Sequence, residues 1–178
     1  MNGPDRYLRH SLRLKGYDYS QAGAYFVTVC AHNRMCIFGA VDAAEIRLSE
    51  IGRTVGSCWE EIPEHFPVSL DEWVVMPNNL HGIIIMADET PLATADALPV
   101  RPALGAIVGG FKSATTKRVN EERRMERSPL WQRNFYEHVI RNEADLGRIR
   151  QYIVDNPVRW AEDPENPNVI AGGGRPLP

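Results

Sequence analysis

Residues 24–31 (AYFVTVCA) are a run of β-branched and aromatic side chains, the pattern of a buried strand. From residue 49 the spacing changes. Ile51, Val55, Cys58, Trp59 and Ile62 recur three and four positions apart, which predicts a helix with Ser49 as N-cap and Pro63 closing it. Residues 67–86 hold two apolar runs about a Pro77-Asn78 turn, a β-hairpin expected in the sheet interior. Residues 87–104 mix Ala, Pro and Thr without a period and predict a mobile surface loop. A second helix follows over 104–119, with Ile107, Val108, Phe111 and Ala114 on one side. Residues 130–140 (LWQRNFYEHVI) make a fourth strand, and Asn142 starts a third helix with Asp145 as its capping partner.

The order is strand, helix, two-stranded hairpin, helix, strand, helix. That succession predicts an α+β, ferredoxin-like βαββαβ fold: a four-stranded antiparallel sheet with helices on one face, plus an added C-terminal helix. The expected domain runs over residues 21–160. A basic arm (1–20) precedes it and a flexible Pro- and Gly-rich tail (161–178) follows.

Composition narrows the function classes. With 178 residues, 43% hydrophobic and 24% charged, the chain is ordinary globular material for one domain. A formal charge of -3 argues against a strongly basic nucleic-acid coat and leaves room for a local basic groove. The three cysteines form no CxxC pair, and no signal peptide or membrane span is expected, so a reducing cytoplasm is the expected setting. Arg6, Arg9, Arg13 and Lys15, with Tyr7, Tyr17 and Tyr19 among them, read either as a solvated arm or as a nucleic-acid contact.

The chemistry concentrates in two places. Asn79 and His81 stand in the second run of the hairpin and point to one face of the sheet, about 7 Å apart. Polar groups amid Val and Ile are costly without partners, so they are either satisfied in the core or serve a site. On the last helix, Leu146, Ile149 and Ile153 form the sheet-facing stripe, and Tyr152 and Asn156 project together from its flank. Tyr136 lies on a strand without an amide four residues on, and it and His138 read as structural or DNA-positioning. Lys112, Lys117 and Arg118 on the second helix, and Arg133 and Arg141 around the fourth strand, read as solvated charge or as phosphate contacts. Gly109-Gly110 before Lys112 lacks the rest of a P-loop.

Three segments, in order, carry a resemblance: Val75-Met76-Pro77-Asn78-Asn79-Leu80-His81-Gly82, Trp131-Gln132-Arg133-Asn134-Phe135-Tyr136-Glu137-His138 and Tyr152-Ile153-Val154-Asp155-Asn156-Pro157. The chain resembles the single-tyrosine HUH transposases, and among them the REP-associated tyrosine transposases, from about residue 17 to 160. The resemblance implies an enzyme that cuts and rejoins single-stranded DNA beside a hairpin. Tyr152 would be the nucleophile, and His81, Asn79 and Asn156 would hold one Mg²⁺ or Mn²⁺. Attack would leave a 5′-phosphotyrosine and a free 3′-hydroxyl. The family pattern has His where this chain has Asn79, a weaker donor for Mn²⁺. The alternative is therefore a hairpin DNA- or RNA-binding protein with a degenerate metal site that does not cut. A third reading, an RNA-recognition module, needs exposed aromatics on the inner strands, where this hairpin offers aliphatics. Monomer or homodimer is left open.

Overall fold

The computed structural model of the chain describes residues 16–87, 102–124, 128–163 and 166. The expectations for most of the basic arm, most of the 87–104 loop and most of the tail fall outside these residues; Leu104, at the loop's expected end, is the buried first residue of a helix. Asp163 and Asn166, within the expected flexible tail, are buried.

Strand β1 (Gly23–Cys30) is followed by a small hairpin, β2 (Gly39–Asp42) and β3 (Glu45–Leu48), that forms a separate two-stranded sheet. The sequence reading contained no element there. Its turn is Ala43-Ala44, both at positive φ (48° and 67°), a left-handed pair usually marked by Asn-Gly, so the local signal is missing. Helix α1 (Glu50–Glu60) starts at Ser49, whose hydroxyl accepts from the Gly52 N–H. Pro63 does not end the helical stretch; it sits in the first turn of a short helix, α2 (Ile62–His65), where its missing N–H costs nothing.

Strands β4 (Val68–Val75) and β5 (Asn79–Met86) form the hairpin, followed by helix α3 (Leu104–Glu122), strand β6 (Tyr136–Ile140) and helix α4 (Glu143–Asp155). The four-stranded sheet has the order β4-β5-β1-β6, and every pair is antiparallel. This is the ferredoxin-like arrangement, with one correction to the expectation: β5 is interior while β4 is an edge. The fourth strand is also shorter than the run over 130–140. Trp131 makes an isolated bridge to Ala31 and Gln132 N–H bonds to Cys30 O, but the Gln132 and Arg133 carbonyls accept from Lys112 Nζ at 2.6 and 2.9 Å, so the pairing is interrupted before β6 begins.

The period-2 alternation of β1 separates two cores. Tyr25, Val27 and Val29 pack with Leu80, Ile84, Trp59 and Phe111 beneath α1 and α3. Phe26 packs with Ile83, Ile140, Ile149 and Ile153 beneath α4 on the other face. On α3, Ile107, Val108 and Phe111 are buried as expected; Ala114 is exposed and Thr115 is buried in its place, its hydroxyl donating to Phe111 O at 2.7 Å. Tyr17 and Tyr19, expected on the arm, pack edge-on to each other against Tyr25. Gly82 shows why no side chain follows His81: a Cβ there would meet the Trp59 ring at 2.4 Å. The strand can approach that large core ring only where no side chain intervenes.

Candidate active site

The α4 face of the sheet carries the polar residues singled out in the sequence. His81 lies on β5 opposite Thr28 of β1 and Val74 of β4. It is 0% exposed. Its Nδ1 is 2.8 Å from Thr28 Oγ1, its ring stacks on Phe26 at 5.8 Å between centroids, and the Tyr152 ring meets it edge-on at 5.4 Å. Tyr152 also stands edge-on to Phe26 at 5.9 Å. A helix residue and a strand residue 71 positions apart in the sequence are thus in ring contact, because α4 lays its apolar stripe across the two inner strands. The direction of the i, i+4 relation then places Asn156 one turn beyond Tyr152 on the same flank, where it is buried.

Asn79 is buried at the start of β5 on the His81 face, paired in register with Cys30. Its amide donates to Asn78 Oδ1 at 3.2 Å. The side-chain oxygens of Asn79 and Asn156 accept no hydrogen bond from any described residue. A buried acceptor left so costs on the order of 1–3 kcal/mol, which makes these two oxygens candidates for a ligand. In kind they suit Mg²⁺ or Mn²⁺, since both take hard oxygen donors and Mn²⁺ also takes imidazole. The set is all neutral, however, and among the described residues no three His, Cys, Asp or Glu side chains converge as a metal cluster. A cation held here would depend on a bound phosphate for its balancing charge.

The five expected phosphate-binding cations separate. An open groove of about 1270 Å³ runs between α3 and the segment before β6, lined by Lys112, Thr116, Lys117, Arg124, Trp131 and Arg133 among others. Lys117 and Arg133 are exposed in it, and Arg124, which follows the helix, joins them. Lys112 lines the same groove with its ammonium committed to two backbone carbonyls, and burial pulls its pKa below the ordinary lysine value. Arg118 makes a two-pronged pair with Glu61 at 2.8 and 2.8 Å. Arg141 is exposed at the junction of β6 and α4, away from that groove lining.

Sequence reasoning missed Thr28, although the signal was there: it is the polar residue in an otherwise apolar strand, in phase with Phe26. Also missed were two fastenings of α4. Asp71 of β4 takes Arg150 Nε and a terminal nitrogen at 2.8 and 2.6 Å, and His138 Nε2 of β6 lies 3.0 Å from Asp145 Oδ2. The first pair spans 79 positions and the second only seven, across the β6–α4 junction, and neither follows from the periodicity of one element.

No family model matches the sequence. A protein of Haemophilus influenzae described as an "Uncharacterized protein" is 40% identical over 166 residues, covering 87% of this chain and 91% of its own. A second Haemophilus influenzae protein, named "Putative REP-associated tyrosine transposase", is 24% identical over 150 residues, or 80% of this chain and 74% of its own. Among solved structures, a REP-associated tyrosine transposase bound to a REP hairpin superposes with a TM-score of 0.53 at 20% identity, covering 81% of this chain and 71% of that one. At that identity the likeness is one of fold. Among the described residues, no helix is long and apolar enough to cross a membrane.

Proposed function

We propose that this chain is a REP-associated tyrosine transposase that binds single-stranded DNA at a hairpin and cuts it with Tyr152. The observation that carries this reading is the ring contact of Tyr152 with His81 on a face that also buries Asn79 and Asn156. The hairpin as ligand is taken from the solved REP-associated tyrosine transposase, which is bound to a REP hairpin. The groove with Lys117, Arg124 and Arg133 supplies cations for phosphates along the strand.

In the mechanism, Tyr152 Oη forms a bond to the scissile phosphorus as the bond to the 3′ oxygen breaks. The phenolic proton leaves Oη, and the departing oxygen ends as a 3′-hydroxyl. One ester replaces another, so the reverse attack by a 3′-hydroxyl can rejoin the strand without an energy source. His81, Asn79 and Asn156 would hold a Mg²⁺ or Mn²⁺, which would polarise the phosphate and offset the charge that develops on it. Thr28 and Phe26 fix the imidazole plane, and α4 carries the phenol to it.

The all-neutral donor set favours a second reading, a hairpin-binding protein that does not cut. One experiment separates the two: a labelled single-stranded hairpin incubated with the protein, with and without Mn²⁺, and run on a denaturing gel. A Mn²⁺-dependent covalent adduct absent in Tyr152→Phe supports the cutting reading. Adduct formed equally by Tyr152→Phe removes Tyr152 from the role, and hairpin binding without any adduct leaves the second reading.

A further inference from the structure

Between Leu70 and Trp73, β4 carries one residue more than β5 opposite it. That bulge keeps both Leu70 and Trp73 packed with the α1 core and turns Asp71 to α4, a usual effect of an inserted residue. The Asp71 side chain is 14% exposed, and it meets Arg150 through both oxygens. At the start of α4, His138 of β6 holds Asp145, which also takes Arg148 and the Arg141 N–H. The strands β4 and β6 are the two edges of the sheet. Between its two fastenings α4 crosses β1 and β5, where His81 lies.

We propose that the Asp71–Arg150 pair is a positioning device that sets the roll of α4 and so the place of the Tyr152 hydroxyl against His81. The argument is one of leverage. The stripe of Leu146, Ile149 and Ile153 holds α4 to the sheet without fixing its rotation, because apolar contacts are not directional. A roll of about 15°, within the ordinary scatter of helix packing, moves a tyrosine hydroxyl by about 2 Å. Misplacement by about 1 Å can slow an oriented reaction on the order of 100-fold. A two-pronged guanidinium–carboxylate pair is directional, and this one acts two residues before Tyr152. Lysine at 150 would keep the charge and lose the fork.

The inference rests on Tyr152 as the nucleophile, and its test has one readout that needs no cleavage. Asp71→Asn and Arg150→Lys are compared with the wild type for single-turnover adduct formation on a labelled hairpin, hairpin Kd, melting temperature and the nuclear Overhauser effect between the Tyr152 and His81 rings. The expected result is adduct formation slowed on the order of 10- to 100-fold, Kd within about twofold of wild type, and a weakened ring-to-ring signal. The double variant should be no slower than the singles, because both remove one interaction. An unchanged ring-to-ring signal in both variants overturns the proposal, as does a rate loss that follows only the melting temperature. If Tyr152→Phe forms adduct as fast as wild type, the nucleophile reading fails, and the ring signal still decides whether the pair positions Tyr152.

Discussion

Thr28 and His81 face each other across the two inner strands, Oγ1 to Nδ1 at 2.8 Å, and neither is more than 1% exposed. The pair fixes the imidazole from one side while the Tyr152 ring meets it from another. Thr28→Val keeps the shape and removes the bond, leaving a buried ring nitrogen short of a partner. We expect a loss of about 1–3 kcal/mol, with Thr28→Ser close to wild type. Urea midpoints at equal m-values measure it. If Thr28→Val is as stable as wild type, the hydroxyl does not hold the ring.

The reach of the sequence is clearest at this site. Periodicity put Asn79 and His81 on one strand face and Tyr152 and Asn156 on one helix flank, because side-chain direction within an element follows from its geometry alone. It could not say that the two faces meet; that depends on packing between elements, which no short-range pattern contains. The β2–β3 hairpin was lost because an Ala43-Ala44 turn carries none of the usual residues. The fourth strand was overread because Trp131, beyond one isolated bridge to Ala31, spends its apolar surface packing on Phe38 and Phe111 and not in continuous pairing.

The basic residues should separate in a binding experiment as they do in space. Lys117→Ala, Arg124→Ala and Arg133→Ala are each expected to weaken hairpin binding. Each should also lower the slope of log K against log salt by about 1 for every phosphate left without its cation. Arg118→Gln should leave binding and slope unchanged, since its guanidinium is held by Glu61. Its cost in stability should be about 0–1 kcal/mol, because the pair is well exposed. Fluorescence anisotropy over a salt series decides the matter. A fall in the Arg118→Gln slope matching that of Arg133→Ala would make the groove no more than one part of a diffuse basic surface.

Acid should loosen α4 in a defined window. The Arg150 hydrogen bonds hold the Asp71 carboxyl below its ordinary pKa, and those of Arg118 do the same for Glu61. A depressed folded-state pKa means stability present above the unfolded value, about 4, and lost as pH falls through the folded one. Wild type and Asp71→Asn should therefore differ most above pH 4, with their urea midpoints converging toward pH 2. A gap that stays constant over that range would show that Asp71 contributes by packing and not by charge.

Asn79→His tests whether the cation is the weak part of the site. The side chain at 79 is buried on the His81 face, and its oxygen accepts nothing from the described residues. An imidazole there would put a second nitrogen donor beside His81 and raise affinity for Mn²⁺ over an amide oxygen. Support of this kind at metal sites is worth on the order of 10–100-fold, so adduct formation at limiting Mn²⁺ should rise by about that factor. The larger ring must fit where Asn79 is fully enclosed, at a cost of about 1–3 kcal/mol if neighbours do not yield, so melting temperature is measured in parallel. Hairpin Kd in the absence of metal should not move, because position 79 is buried. A folded Asn79→His protein with unchanged Mn²⁺ dependence would mean that no cation relies on this position.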